Sequence, residues 1–205
     1  YGIVYLPYKN KNHKNKKMIE ENHQTHHIPV LLNELIQTVK PNPGEVVLDL
    51  TAGYGGHALA LRARTEGSIT LVDRDKMAIS HLSELFKDER SEILHSDFLK
   101  ASQILHGQNR KYDIILADLG LSSPHLNIAS RGFSIKKNGP LDMRMDRSQT
   151  LTAEKIVNEY SEEELKNILL KFGEEYKADK ITKEIIASRP IKDTLELSKI
   201  VEKIY

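Results

Sequence analysis

The sequence predicts an α/β protein whose parallel sheet carries helices on both faces, followed by a small all-helical domain. Short apolar runs alternate with amphipathic stretches between residues 46 and 117, a pattern typical of β-α-β units with right-handed crossovers. Carboxylates stand at or just after the ends of these runs, where the strands of an open parallel sheet form a ligand crevice. From about residue 150 the chain is charged and shows no strand pattern.

The individual elements follow from periodicity and from turn residues. Residues 29–40 have apolar side chains at helical spacing and end at the Pro- and Gly-rich residues 41–44, which predicts a helix that stops there. Strands are predicted at residues 46–50, 68–72, 92–94 and 112–117. The helices expected between them cover residues 56–64, 76–86 and 99–105.

Residues 119–147 differ in composition and are rich in Gly, Ser, Pro and Asn. A loop of that length in a compact domain is usually functional or mobile. Beyond it, Ser161 and Glu164 have the spacing of a capping box, which predicts a helix that ends near Gly173. Asp193 and Glu196 repeat that spacing.

The predicted domain organisation has three parts. We expect a disordered basic extension at residues 1–17, an incomplete α/β core at 18–147 and a helical domain at 148–205. Residues 196–205 show the pattern of a helix with no stop signal, so the chain is expected to be a fragment of a longer protein.

The amino-acid composition excludes several classes of protein and of functional site. The 205 residues are 39% hydrophobic with a formal net charge of +1, so one core and a small appendage are expected, and bulk charge gives no sign of nucleic-acid binding. The absence of cysteine excludes a disulfide framework, a thiolate zinc site and a thiol nucleophile within this chain. No apolar run has membrane-spanning length, so no membrane partner is expected.

The glycine-rich turn after the first predicted strand has two interpretations. Gly53, Gly55 and Ala58 fit the dinucleotide fingerprint, and Asp73 stands where a ribose-binding acid belongs. An NAD-dependent oxidoreductase is therefore one alternative. Gly56 completes the turn and opens the next helix, whose N-terminal N–H groups face the ligand.

The carboxylates favour a different ligand. Asp49 directly precedes the turn, and Asp97 and Asp118 follow the third and fourth apolar runs. Carboxylates around one cleft would repel a pyrophosphate, whereas S-adenosylmethionine carries a sulfonium, an ammonium and a ribose diol but no phosphate. The electrostatics therefore favour the methyl donor, with Asp73 as the acceptor of its ribose hydroxyls.

Each of these residues also has a structural interpretation. Asp49 and Asp118 could simply cap the turn or helix that follows. Asp97 could accept from an adenine amine and Phe98 could stack on the ring, or Phe98 could belong to the core. His57 could be a general base or a metal ligand, although a hydrogen-bonding contact or a cap is more common for a His in the first turn of a helix. No other ligand type lies at metal-binding spacing from His57 or from the pair His26 and His27, so no metal site is predicted.

Several motifs together resemble the small-subunit ribosomal RNA cytosine-N4 methyltransferases. The fourth predicted strand runs into Asp118-Leu119-Gly120-Leu121-Ser122-Ser123-Pro124-His125, which is similar to that family's Asp-Leu-Gly-x-Ser-Ser-Pro-Gln loop. Matching segments also occur at residues 27–32, 55–57, 73–75, 131–134 and 139–146. The resemblance extends from about residue 26 to the end of the chain.

The resemblance implies a Rossmann-like methyltransferase sheet with a small helical domain inserted in it, and S-adenosylmethionine as the cofactor. Donor-binding residues carried over from the family are Gly55, Gly56, His57, Asp73, Phe98, Asp118 and position 125, where this chain has His125 instead of Gln. The implied partner is small-subunit ribosomal RNA. The implied location is cytoplasmic, or organellar if the N-terminal extension is a targeting segment. The resemblance leaves open whether the protein forms a homodimer.

The absence of cysteine also indicates which atom is methylated. Methylation at ring carbon C5 of a cytosine commonly needs a thiolate, whereas an exocyclic amine needs no covalent partner. We therefore expect Ser122, Ser123 and Pro124 to hold the N4 amine, with Asp118 at the junction of the donor and base sites. A second alternative is a non-catalytic RNA-binding or assembly module with the same fold.

Overall fold

The computed structural model describes residues 29–121 and 123–205. The predicted basic extension, the His26 and His27 pair and Ser122 lie outside these described residues.

Four parallel strands form one sheet in the order β3-β2-β1-β4, which confirms the predicted fold class. They are β1 (Val47–Asp49), β2 (Ile69–Asp73), β3 (Ser91–His95) and β4 (Ile114–Leu116). The chain moves outward from β1 to β3 and then returns to place β4 on the other side of β1. The strand order therefore reverses between β1 and β4, and in open α/β sheets ligands bind at that point, beyond the carboxyl ends of the strands.

Helices cover both faces of the sheet, as expected. The first four are α1 (Leu32–Val39), α2 (Gly56–Thr65), α3 (Lys76–Leu85) and α4 (Phe98–Gly107). Val47 on one face of β1 packs in a cluster with Leu61 of α2 and Leu82 of α3. Leu48, on the opposite face, packs with Ala101 of α4, because successive side chains of a strand point to opposite sides.

The segment after β4 is more ordered than its composition indicated. It contains a short helix, α5 (Ser123–Asn127), and a 3-10 helix (Ala129–Arg131). Gly132 follows with φ of +76°, and a Cβ there would lie 2.4 Å from the carbonyl oxygen of Pro140. This close backbone approach, which composition alone does not reveal, keeps the predicted loop compact.

After irregular residues 133–152, the described chain forms four helices, α6 (Ala153–Glu159), α7 (Glu162–Gly173), α8 (Ala178–Ala187) and α9 (Thr194–Glu202). The capping box of Ser161 and Glu164 is confirmed. At α9, Asp193 accepts from the Glu196 N–H at 2.9 Å, but the Glu196 carboxylate accepts from the N–H of Lys192 instead of completing the box. The helix ends at Glu202, earlier than the sequence pattern indicated.

A separate hydrophobic cluster holds these helices together. It contains Leu141, Val157, Leu165, Ile181, Ile185, Ile191 and Ile200. Leu141 comes from the segment after β4, and the next residue back, Pro140, forms an isolated antiparallel bridge with Asp193. None of the helices in the described residues is long and apolar enough to cross a bilayer.

Candidate functional site

The glycine turn lies at the carboxyl end of β1 and depends on two residues with positive φ. Gly53 has φ of +52° and Gly55 has φ of +82°. A Cβ at Gly55 would lie 3.0 Å from the Phe86 ring and 3.1 Å from Leu82. Because Gly55 is also the N-cap of α2, glycine lets the chain turn directly from the strand into a helix that packs against α3.

Asp73, the predicted ribose acceptor, ends β2 beside this turn. Its Oδ2 accepts from the Gly53 N–H at 2.8 Å, and its Oδ1 accepts from the Asp75 N–H at 2.7 Å. Both carboxylate oxygens are thus held by backbone donors. Each oxygen can accept a second hydrogen bond, so the side chain is oriented and still able to receive ligand hydroxyls.

The pKa of Asp49, one of the acids at this edge, departs strongly from its ordinary value. This residue ends β1, is 1% exposed and accepts from the Thr51 N–H at 3.1 Å. Burial, together with the negative charges of Asp73 and Asp118 and against the opposing Thr51 hydrogen bond, raises the pKa of Asp49 to about 7. Three of the predicted carboxylates therefore interact electrostatically at one point of the fold.

Asp118 and His57 lie on the β4 side of the same edge. The Asp118 N–H donates to Thr51 Oγ1 at 2.7 Å, which fixes the start of the segment after β4 against the turn. His57 Nδ1 lies 3.8 Å from Asp118 Oδ2, and its Nε2 lies 3.0 Å from the carbonyl oxygen of Val30. His57 is thus a hydrogen-bonding contact, the more common of its predicted roles.

Gly56 brings the segment before α1 against the start of α2. A Cβ at Gly56 would lie 2.3 Å from Cγ of Pro29. Together with the contact between His57 and Val30, this close approach places residues 29–30 beside the first turn of α2. Gly56 is one of the predicted donor-binding residues, and packing against Pro29 by itself already favours glycine at this position.

Asp97 and Phe98 follow β3 at the far side of the sheet. Asp97 caps α4 by accepting from the Lys100 N–H at 2.9 Å. Phe98 is 46% exposed, so the alternative that placed it in the core is wrong and its ring is accessible for stacking. A cavity of about 150 Å³ adjoins Asp97, and its lining includes Arg74 and Ser96.

His125 lies in α5 and is 7% exposed. Its Nε2 lies 2.9 Å from Asp75 Oδ2, and its ring lies 5.2 Å from that of Phe133. Ser123 and Pro124 directly precede it and form the start of α5. The structure therefore places His125 against the N-terminus of α3, beside an acid whose N–H donates to Asp73, and its contact with the donor stays a prediction.

Sequence reasoning missed Asp75 and Arg131. Asp75 is 3% exposed, and Arg131 is 2% exposed. Both occur in segments that the resemblance had matched, but nothing in a single sequence shows that side chains 56 positions apart meet. Within the described residues, no group of three or more His, Asp or Glu side chains is arranged to hold a metal ion.

The fold and this edge define an α/β protein with a glycine turn and a cluster of acids where the strand order of a parallel sheet reverses. The chain belongs to the MraW methylase family, which matches residues 24–205. It is 41% identical over 182 residues to ribosomal RNA small subunit methyltransferase H of Mycoplasma mycoides, covering 86% of this chain and 59% of the relative. The enzyme of the same name from Trichodesmium erythraeum is 43% identical over 178 residues, with 85% and 62% covered. The chain thus spans about three fifths of the length of these relatives.

Similar solved structures include a putative rRNA methylase from Clostridium thermocellum, with a TM-score of 0.41, 16% identity and coverage of 57% of this chain and 74% of that one. Another is a dimethyladenosine transferase from Plasmodium falciparum, with a TM-score of 0.38, 23% identity and coverage of 47% and 34%.

Proposed function

We propose that this chain forms the donor-binding and target-binding portion of an S-adenosylmethionine-dependent methyltransferase that modifies the N4 amine of a cytosine in small-subunit ribosomal RNA. The observation that carries the proposal is the meeting of three carboxylates, Asp49, Asp73 and Asp118, beside the glycine turn; burial and the charges of the other two acids raise the pKa of Asp49 to about 7. An edge with this excess of negative charge suits a cationic ligand and opposes a pyrophosphate.

The residues at this edge fit the parts of the methyl donor. Asp73 is oriented by two backbone N–H groups and would accept from the ribose hydroxyls. Asp49 would face the charged end of the donor, because a nearby cation favours its ionised form. Phe98 offers an accessible ring to the adenine, and the second lone pairs of Asp97 could accept from the adenine amine.

The donor supplies an electrophilic methyl group when it is bound, and the protein has to aim a weak nucleophile at it. The N4 lone pair of cytosine is delocalised into the ring, so acceptors that hold its N–H groups favour attack. We assign this role to Ser122, Ser123 and Pro124, which lie six to eight positions after the last residue of β4. Asp118 would lie between the two sites and contact the edge of the donor. The sulfonium becomes a neutral thioether when it loses its methyl group, so a carboxylate paired tightly with it would slow the transfer.

The RNA substrate is supported by the names of the relatives, which are ribosomal RNA small subunit methyltransferases. A base that reacts at its exocyclic amine has to leave its stack or come from a single-stranded segment. A loop of structured ribosomal RNA meets that requirement. The helical residues after 148 would form the inserted domain that flanks the RNA.

Two measurements test the proposal. Calorimetric titration of the 205-residue chain with S-adenosylhomocysteine and with NADH should show binding of the first and not of the second. Methyl transfer by the intact gene product to small-subunit RNA, followed by mass spectrometry of the nucleosides, should place the methyl group on N4 of cytosine. A methyl group on C5 or on a ribose oxygen would contradict the assignment, and donor binding without transfer would favour the non-catalytic alternative.

A further inference from the structure

Arg131 is the largest completely buried side chain in the described part of the protein. It lies in the 3-10 helix after α5, outside the predicted donor and target residues. Its Nη1 donates to Asp75 Oδ2 at 2.7 Å. Its Nη2 donates to the backbone carbonyl oxygens of Arg144 and Met145, each at 3.0 Å. A buried guanidinium is tolerated only when such acceptors surround it, so the three contacts define a specific arrangement of the backbone.

Asp75 is the point where separate segments of the chain meet. Its Oδ1 caps α3 by accepting from the Met77 N–H at 3.0 Å. Its Oδ2 receives both Arg131 and His125 Nε2. Burial would raise the pKa of Asp75, but hydrogen bonds from His125, the Met77 N–H and Arg131 outweigh it and lower the pKa to about 2. One ionised carboxylate thus ties α3, α5 and the 3-10 helix together.

A continuous set of hydrogen bonds connects this carboxylate to the glycine turn. The Asp75 N–H donates to Asp73 Oδ1 at 2.7 Å, and Asp73 Oδ2 accepts from the Gly53 N–H at 2.8 Å. Movement of α5 away from β2 would therefore break buried, charge-assisted hydrogen bonds. The distance between the turn and α5 therefore depends on Asp73, Asp75 and His125.

We infer that Arg131 and Asp75 are positioning residues that hold α5 and the adjoining 3-10 helix at a fixed distance from the donor edge. The inference rests on the proposed function, since that function assigns the target amine to the segment in which α5 begins. Alignment of nucleophile and methyl group dominates the rate of such a transfer. Loss of either residue should therefore lower the rate of transfer more than it weakens donor binding.

The experiment compares Arg131→Met, Arg131→Lys and Asp75→Asn in the intact gene product. All three substitutions retain the backbone N–H of residue 75 that supports Asp73. Arg62→Met is the control, because Arg62 also has a mostly buried side chain and pairs with a carboxylate, that of the half-exposed Asp88. Arg62 also donates to Ser91 at the start of β3, at the opposite end of the strands from the donor edge. Unfolding midpoints, S-adenosylhomocysteine affinity and single-turnover methyl transfer are measured at a temperature where every variant is folded.

We expect Arg131→Met to lower the single-turnover rate about tenfold or more, with donor affinity changed by less than about threefold. Arg131→Lys should recover part of the rate, because an ammonium can still reach the carboxylate but cannot also bridge both carbonyls. Arg62→Met should lower the unfolding midpoint without lowering the rate of the folded protein. If Arg131→Met does not fold, Asp75→Asn and Arg131→Lys decide the question.

Two results would overturn the inference. Folded variants at Asp75 and Arg131 that transfer methyl groups at the unmodified rate would show that the buried pair only stabilises the fold. If the unmodified protein binds S-adenosylhomocysteine and methylates RNA in the same assays, the proposed function stands without the inference. If the unmodified protein does neither, the proposed function fails and the inference fails with it.

Discussion

Gly53 donates its backbone N–H to Asp73 Oδ2 at 2.8 Å, so the turn after β1 and the acid that ends β2 form one hydrogen-bonded unit. The contact explains why a carboxylate 20 positions away in the sequence matters to a glycine turn. It also means that a ligand held by Asp73 is positioned relative to the N-terminus of α2.

Asp73→Asn should weaken the binding of S-adenosylhomocysteine by about 1.5–3 kcal/mol, or roughly ten- to a hundred-fold, because a charge-assisted hydrogen bond is lost. Calorimetry on the folded variant measures the change. Asp113→Asn is a suitable control, since Asp113 also accepts from a backbone N–H, that of Val46 at 2.8 Å, but at the opposite edge of the sheet. Equal affinities for both variants and the unmodified chain would remove Asp73 from the donor site.

Asp49→Asn should stabilise the ligand-free chain at pH 8. The pKa of Asp49 is raised from its ordinary 3.8 to about 7, so between these values the folded state binds more protons than the unfolded state, and this group makes stability fall as the pH rises. Removing the charge should raise the free energy of unfolding by about 2–4 kcal/mol at pH 8.

The pH series provides the control for Asp49→Asn. Denaturant titrations should show the difference between variant and unmodified chain growing from about pH 4 to pH 7 and vanishing below pH 4. Donor affinity of the variant should be lower, because the proposed site sets this acid against the charged end of the donor. A stability difference independent of pH would contradict the assigned protonation of Asp49.

Gly56→Ala should displace Pro29 from the start of α2, because the new Cβ would lie 2.3 Å from Pro29 Cγ. Alanine ordinarily favours a helix, so a net loss of about 1–3 kcal/mol would come from this overpacking. Amide exchange at Leu35, whose N–H donates to Leu31 at the start of α1, should become faster.

Gly107→Ala is the matched control for Gly56→Ala, since a Cβ at Gly107 meets nothing within 4 Å. It should leave both stability and donor affinity within experimental error or slightly improve stability. Unchanged exchange at Leu35 in Gly56→Ala would show that the segment before α1 does not depend on this contact.

Gly132→Ala should destabilise the protein by about 2 kcal/mol or more, because the residue combines a left-handed backbone with overpacking. Its Cβ would lie 2.4 Å from the Pro140 carbonyl oxygen and 2.7 Å from the Asp142 nitrogen. Gly173→Ala, whose Cβ would lie 3.9 Å from Glu175, serves as the comparison in thermal unfolding. Similar midpoints for the two variants would mean that the segment after β4 can relax.

Sequence patterns predicted the parallel sheet because short apolar runs and helical periodicity are local properties. The alternation between residues 46 and 117 predicted four strands and the helices between them, and the structure has them in that order. The strand ends differ by one or two residues, since the last residue of a strand is decided by its neighbour. The capping box at Ser161 and Glu164 was equally local, because it involves one turn of one helix.

The sequence by itself determined the chemical character of the edge: a glycine turn among acids, with no cysteine. Only the tertiary structure decided how those acids behave. Asp49 has a raised pKa because folding buries it near Asp73 and Asp118, and the pKa of Asp75 is lowered because His125 and Arg131 reach it from 50 and 56 positions away. Burial and long-range pairing depend on the whole fold, so no local pattern could have predicted that these two carboxylates would titrate in opposite directions.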